Sequence, residues 1–138
     1  MERRRKVETV AEYVRENYAE DARLVEVGVG RRDTTARRLA ETGFDVTTTD
    51  VREVETCETV GFVFDDVTSP DLSVYRGASL VYSLRPPYEI HTEIDSVARS
   101  VGADTLLAPL GDEGTPLERE EGFELVNSDG HAFFVRRS

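Results

Sequence analysis

One stretch of the chain constrains its fold more than any other. It runs from Leu24 to Asp50 and reads LVEVGVGRRDTTARRLAETGFDVTTTD. Its apolar start, glycine turn, amphipathic middle and β-rich end predict a strand, a helix and a second strand. Gly28 and Gly30 allow the backbone to turn sharply and to lie close to a ligand, and the helix after them directs free N–H groups at that ligand. The acid at the end of the second strand, Asp50, suits a ribose diol. The stretch therefore predicts a nucleoside-containing small-molecule ligand.

The remaining pattern extends this unit into an α/β fold. Further strands are predicted at 62–64, 78–84 and 105–110, a single turn at 71–76, and helices at 1–20 and 89–101, the last one capped by Gly102. The Asp129-Gly130 step between two apolar runs predicts an antiparallel hairpin over 123–138. Alternating strands and helices predict a Rossmann-like three-layer α/β/α domain over 1–138, with a mainly parallel sheet and this C-terminal hairpin.

Charge and hydropathy narrow the location and the partners. The chain carries 28 acidic and 17 basic residues, a formal net charge of −11, and all of the basic residues except Lys6 are arginines. This balance is typical of a protein adapted to a high-salt cytoplasm, and an ordinary acidic cytosolic protein is the alternative. The negative far field disfavours nucleic acid as a partner. No apolar run approaches the roughly 18 residues of a membrane span, so we expect a cytoplasmic protein.

Metal and covalent chemistry have little support in the sequence. Cys57 is the single cysteine, and the two histidines, His91 and His131, lie far apart, so no metal site is predicted. His91 is expected on the polar side of its helix, and residues 111–122 are expected to form an exposed loop. No nucleophile elbow or phosphate loop of the GxxxxGK[ST] type is present. No catalytic residue is therefore assigned.

Three features together resemble the class I methyltransferase fold, which binds S-adenosylmethionine. Residues 26–30, EVGVG, resemble its first motif ExGxG, and Asp50 and Asp66 match the acids after its second and third strands. The resemblance implies that the cofactor-binding residues include Glu26, with Gly28 and Gly30 beside the cofactor's amino acid end. It also implies that Asp50 accepts the ribose hydroxyls and Asp66 the adenine amino group.

The chain also resembles, over almost its whole length, a small uncharacterised archaeal family that has this Rossmann-like fold. The segments that carry the resemblance are VEVGVGRR (25–32), DDVTSPDL (65–72), YRGASLVYSLRPPYE (75–89) and GADTLLAPLGDE (102–113). This family implies a fold and a ligand, without a reaction. An NAD site is disfavoured because Asp33 stands where the dinucleotide fingerprint has a third glycine or alanine.

The segment after the fourth strand departs from the methyltransferase pattern. Amino methyltransferases of this fold have Asn or Asp before Pro-Pro and an aromatic residue, whereas this chain has Arg85 before Pro86, Pro87 and Tyr88. A guanidinium has only donors, so it cannot accept a hydrogen bond from an amine. The prolines predict an extended exit from the strand. Arg85 either binds an anion or pairs with a nearby loop acid.

Other arginines extend the anion hypothesis. Arg31 and Arg32 precede the first helix of the nucleoside unit and would add to an anion site with Arg85. Tyr88 would stack on a base or cap the core. The favoured function is an S-adenosylmethionine-binding protein, with methyl transfer to a small anionic acceptor as its reaction. A non-catalytic interaction module and an NAD-binding regulatory domain remain alternatives, and the oligomeric state is left open.

Overall fold

The computed structural model describes residues 6–109, 114–117, 122–128 and 131–138. Within these ranges the helices are α1 (Lys6–Asn17), α2 (Thr34–Glu41) and α3 (His91–Val101). The strands are β1 (Arg23–Val27), β2 (Asp45–Asp50), β3 (Gly61–Phe64), β4 (Leu80–Leu84), β5 (Asp104–Ala108), β6 (Phe123–Ser128) and β7 (His131–Arg136). Short 3₁₀ turns cover Leu72–Val74 and Tyr88–Ile90.

These strands form one sheet in the order β3-β2-β1-β4-β5-β7-β6. The first five in that order are parallel, and β7 runs antiparallel between β5 and β6. The chain proceeds from β1 toward one edge through β2 and β3, and then crosses to β4 and β5 on the other side. This reversal opens a crevice at the carboxyl ends of β1 and β4, where ligands bind in such sheets. The predicted α/β fold with a C-terminal hairpin is confirmed.

The central strands bury side chains on both faces of the sheet. Leu24, Leu80 and Leu106 pack with α1 and α2 in one apolar cluster. The next residue on each of these strands packs with α3 in a second cluster: Val25, Val81 and Leu107. Each fully buried side chain of this kind contributes about 1.5–3 kcal/mol, which holds the strand ends in register at the crevice.

The connections after β2 and β3 are short, and the single turn predicted at 71–76 is confirmed. Residues 51–60, all of them described, form neither helix nor strand, and the crossover from β3 to β4 holds only the 3₁₀ turn Leu72–Val74. Gly102 adopts φ 75° directly after α3, which confirms the predicted left-handed cap. Among the helices described, none is long and apolar enough to cross a membrane.

Two sequence expectations are corrected by the packing. His91 is buried and not on the polar side of α3, because it lies one turn before Ile94 and Asp95 on the helix's inward face. The segment expected as an exposed loop has a buried middle, since Thr115 and Leu117 are 5% and 2% exposed. Leu117 joins the cluster beneath α3.

Some expectations fall outside the described residues. These are the start of the N-terminal helix at 1–5, the end of the predicted fifth strand at Leu110, most of the loop 111–122, and the hairpin step Asp129-Gly130. The two hairpin strands themselves pair from Phe123 opposite Arg136 to Ser128 opposite His131, as predicted.

Candidate ligand-binding site at the glycine turn

The glycine turn follows β1 directly and lies at the mouth of the crevice. Gly28 and Gly30 have φ values of 73° and 58°, a region that side chains disfavour. The N–H groups of Gly28 and Val29 donate to the Thr49 carbonyl at 2.9 and 3.0 Å, which ties the turn to β2. A Cβ atom added at either glycine would meet no described atom within 4 Å. The turn is therefore fixed, and its backbone is open to a close ligand.

Asp50, at the end of β2, holds the turn from the other side. Its Oδ2 accepts the Gly30 N–H at 2.8 Å, and its Oδ1 accepts the Arg52 N–H at 3.0 Å. Each carboxylate oxygen has a second lone pair, so both can still accept a hydroxyl. The carboxylate is positioned before any ligand arrives.

On one side of the turn lies a cavity of about 610 Å³, called here the Asp50 cavity. Its wall combines Asp50 and Asp65 with the apolar side chains of Val51, Pro87 and Ile90. Val51 is 56% exposed, which is high for an apolar residue next to the core. The wall thus offers acceptors for hydroxyl or amino groups and an apolar surface for a ring.

On the other side lies a cavity of about 810 Å³, called here the Glu26 cavity. Two of its lining groups, Glu26 Oε1 and Thr35 Oγ1, are buried and have no hydrogen-bond partner among the described residues. Burial raises the pKa of Glu26 to about 8; the Tyr82 hydroxyl beside it opposes this shift, and the negative charge of Asp33 adds to it. Buried polar groups without partners are rare. Four such atoms occur among the described residues: Glu26 Oε1 and Thr35 Oγ1 line this cavity, and the Tyr82 hydroxyl and Glu93 Oε2 do not.

Three arginines, Arg31, Arg32 and Arg85, also line the Glu26 cavity. All three are exposed, and within the part of the chain that the structure describes none of them forms a salt bridge. The alternative of an ion pair between Arg85 and Asp65, Asp66 or Glu89 is therefore not what the structure contains. In a chain of net charge −11, three guanidinium groups without an ion-pair partner among the described residues thus line one cavity.

Arg85 departs from the extended conformation expected before a proline. Its φ is 56°, and it is the one described residue other than glycine with a positive φ. The backbone is held on both sides: the Arg85 N–H donates to the Ala108 carbonyl at 2.8 Å, and the Pro86 carbonyl lies 3.0 Å from His91 Nε2. These tertiary contacts override the local preference for extended backbone before proline.

His91 links this turn to the segment after β5. A carbonyl only accepts, so Nε2 carries the proton and donates to Pro86, while Nδ1 lies 2.9 Å from the Thr115 hydroxyl. Tyr88 lies outside, 53% exposed, with its ring centroid 5.7 Å from that of His91. Tyr88 lines neither cavity, so it does not fill the crevice.

Of the two acids after β3, it is Asp65 that lines the Asp50 cavity. Its carboxylate accepts the Tyr75 hydroxyl at 2.6 Å and the Asp71 N–H at 3.0 Å. Asp66 is exposed and lines neither cavity, and its Oδ1 accepts the hydroxyl and the N–H of Thr68, which lower its pKa. Asp66 therefore lies at the rim and organises its own turn.

The structure brings most of the predicted site residues together. Seven of them line the two cavities: Glu26, Gly28, Gly30, Arg31, Arg32, Asp50 and Arg85. Asp66 and Tyr88 remain at the periphery. The sequence interpretation missed Thr35, Val51 and Asp65. Val51 was detectable as an apolar residue directly after the acid of β2, whereas no local signal distinguishes the Thr35 hydroxyl.

The sheet order, the glycine turn and the acid at the end of β2 define the class of fold: this is the Rossmann-like fold of S-adenosylmethionine-dependent methyltransferases. Magnesium protoporphyrin IX methyltransferase from Synechocystis PCC 6803, with bound SAH (S-adenosylhomocysteine), is similar with TM-score 0.65 and 13% identity, covering 96% of this chain and 82% of that one. 1,6-Didemethyltoxoflavin-N1-methyltransferase from Burkholderia thailandensis, with bound S-adenosylhomocysteine, has TM-score 0.64 and 15% identity, with coverage of 95% and 76%.

The chain belongs to the Uncharacterised protein family (UPF0146), which it matches over residues 7–138. A UPF0146 protein of Archaeoglobus fulgidus is 45% identical over 128 residues, which are 93% of this chain and 92% of that protein. The resemblance to an archaeal family that was inferred from the sequence is confirmed.

Proposed function

We propose that this protein binds S-adenosylmethionine across the glycine turn and transfers its methyl group to a small anionic acceptor. The observation that carries the proposal is Glu26 Oε1, a buried oxygen that has no hydrogen-bond partner among the described residues and lines a cavity beside an open glycine turn. A buried acceptor of this kind needs a donor from a ligand, and the ammonium group of the cofactor's amino acid end is one. Bound cofactor would supply an activated methyl group.

The Asp50 cavity suits the adenosine part. Asp50 offers two oriented oxygens to the ribose hydroxyls, and the exposed side chain of Val51 offers apolar surface to the base. Asp66 is proposed to take the adenine amino group from the rim through Oδ2, because Oδ1 already serves Thr68. A carboxylate at the rim can accept a hydrogen bond from an amino group without being buried.

The Glu26 cavity suits the reacting end. Gly28 and Gly30 would face the amino acid part, and Glu26 would ionise to accept its ammonium group. Arg31, Arg32 and Arg85 would then bind the negative groups of cofactor and acceptor. The protein's contribution to such a transfer is to hold donor and acceptor in line, so no general base has to be assigned.

Titration calorimetry with S-adenosylhomocysteine in concentrated salt tests this proposal. We expect binding to the wild type, and Asp50→Ala should weaken it by about 1–3 kcal/mol because two oriented acceptors are lost. Asp21→Ala serves as the matched control, since Asp21 is an exposed acid that precedes β1 at the opposite end of the sheet.

No heat at millimolar S-adenosylhomocysteine would contradict the proposal. NADH is titrated in the same way, because Asp50 would serve the ribose of a nicotinamide cofactor equally well. Tighter binding of NADH than of S-adenosylhomocysteine would favour the regulatory-domain alternative.

A further inference from the structure

The Glu26 cavity contains more positive charge than the proposed cofactor can neutralise. Its lining includes three guanidinium groups and a single acid, Glu26. Arg31 is shared with the Asp50 cavity, which is also lined by Arg52 and by four acids, Asp50, Glu53, Glu55 and Asp65, whereas Arg32 and Arg85 line the Glu26 cavity alone of the two. S-adenosylmethionine carries one carboxylate, one ammonium and one sulfonium group. Its carboxylate balances one arginine, and its ammonium balances Glu26. Two guanidinium groups and the sulfonium remain for the acceptor.

A monocarboxylate acceptor would leave most of this excess charge unbalanced. A phosphomonoester is mainly a dianion near neutral pH and offers three acceptor oxygens to planar guanidinium groups. A long polyanion is disfavoured, because the net charge of −11 repels it at a distance. A small dianion is therefore the acceptor that fits the charges.

The backbone of Arg85 supports a binding role for its side chain. A left-handed conformation at a residue before proline is strained, and glycine or asparagine would adopt it more easily. Contacts from Ala108 and His91 fix this conformation on both sides. A strained residue held by its surroundings points to function, and the guanidinium is what arginine adds there.

We infer that the acceptor is a small phosphomonoester, bound through its dianionic phosphate by Arg85 together with Arg31 and Arg32. The inference rests on the proposed function, and it names the chemical class of the acceptor. Arg85 is the specificity-determining residue of the three, because it comes from a different segment, directly after β4, and its backbone is preorganised.

A matched pair of probes tests the anion preference. Phenyl phosphate and benzoate share a phenyl ring and differ in the anion, and each is titrated by calorimetry at constant ionic strength, with and without saturating S-adenosylhomocysteine. At about pH 7.5 the phosphate ester is mainly a dianion. We expect phenyl phosphate to bind at least about tenfold more tightly than benzoate, as expected for a second charge and additional charge-assisted hydrogen bonds.

Arg85→Gly removes the guanidinium and accepts the backbone conformation. We expect it to lower the affinity for phenyl phosphate by about tenfold or more. It should also raise the melting temperature by a few degrees, because the backbone strain is relieved. Arg37→Ala is the control, because Arg37 is an exposed arginine of α2 that lines neither cavity. Arg85→Asn repeats the test with a different side chain, because asparagine also tolerates a positive φ.

Equal affinity for phenyl phosphate and benzoate in the wild type would overturn the inference, as would full phosphate affinity in Arg85→Gly and Arg85→Asn. Failure of the proposed function is seen separately, as absence of S-adenosylhomocysteine binding. If S-adenosylhomocysteine does not bind, but phenyl phosphate does and this binding is lost in Arg85→Gly, the anion site is supported and the proposed methyl donor is contradicted. Phosphate binding equally weakened in Arg37→Ala would reduce the effect to general surface charge and overturn it.

Discussion

The two cavities on either side of the glycine turn differ in whether their polar groups already have partners. In the Asp50 cavity the carboxylates of Asp50 and Asp65 each accept two hydrogen bonds from the protein. In the Glu26 cavity, Glu26 Oε1 and Thr35 Oγ1 are buried, and no described residue forms a hydrogen bond with them; the arginines there form no salt bridge with a described residue either. The carboxylates of the first cavity are therefore held by the chain itself, whereas the second cavity has polar and charged groups without a partner among the described residues.

From this difference we propose separate roles for the two cavities. Groups that are oriented in advance lose little entropy when a neutral ligand part docks, so the Asp50 cavity suits recognition of a nucleoside. Groups buried without partners gain most when a charged ligand arrives, so the Glu26 cavity suits the zwitterionic end of a cofactor and an anionic acceptor.

Gly28→Val should have the largest effect, because Gly28 lines both cavities. A side chain there would project into the open space next to the turn and would strain a backbone at φ 73°. We expect the affinity measured by calorimetry to fall by at least about a hundredfold, close to 3 kcal/mol, with a loss of about 1–2 kcal/mol in the free energy of unfolding.

Gly102→Val is the control for backbone strain. Gly102 has φ 75°, and an added Cβ would also meet no described atom within 4 Å, but it lies at the end of α3 and lines neither cavity. It should lose similar stability and retain the ligand. Equal loss of affinity in both variants would mean that Gly28 acts only through stability.

Glu26→Gln tests the Glu26 cavity alone, because it removes the ionisable acid of that cavity and leaves the residues that line the Asp50 cavity unchanged. If the ligand's ammonium group ionises Glu26, binding at pH 7 should release up to one proton, since the pKa of the free group is about 8. Calorimetry in two buffers of different ionisation enthalpy measures this release. We expect Glu26→Gln to abolish it and to weaken binding by about 1.5 kcal/mol. Glu41→Gln, at an exposed acid of α2, should change neither.

The same substitution has a defined effect on stability. The pKa of Glu26 is raised from 4.5 to about 8, so between these values the folded chain keeps a proton that the unfolded chain loses. The free energy of unfolding should therefore fall as pH rises from about 4.5 to about 8, by up to about 1.4 kcal/mol per pH unit, and then level off. Urea unfolding of Glu26→Gln should lack this decline. An unchanged slope would mean that Glu26 is already ionised in the folded protein.

The fold was predictable from sequence because its signals are local. Alternating apolar runs, the glycines after β1 and the acid that ends β2 lie within short stretches whose periodicity predicts their structure. The conformation of Arg85 was not predictable, since residues before proline are normally extended and the positive φ depends on the distant Ala108 and His91.

The same distinction separates the predicted parts of the site from the missed ones. The glycines and carboxylates of the site were predictable, because their residue types and their positions relative to the strands are given by the sequence. The buried Thr35 hydroxyl without a partner depends on packing between α2 and the sheet, so no local pattern identifies it. His91 was detectable, because its spacing to Ile94 and Asp95 is helical, but a polar residue type argued against an inward position.

Asp66→Ala should have the smallest effect and tests which acid after β3 contacts the adenine. Because Asp66 lies exposed at the rim, its loss should lower the affinity for S-adenosylhomocysteine by less than about fivefold and leave the melting temperature nearly unchanged. Asp65→Ala should destabilise the fold by about 2 kcal/mol, because the buried Tyr75 hydroxyl and the Asp71 N–H lose their acceptor. If Asp65→Ala instead leaves stability intact and abolishes binding, the adenine contact belongs to the cavity wall. The Asp50 cavity would then also contain a polar group whose role is to bind the ligand and not to stabilise the fold, and the contrast between the two cavities would no longer hold.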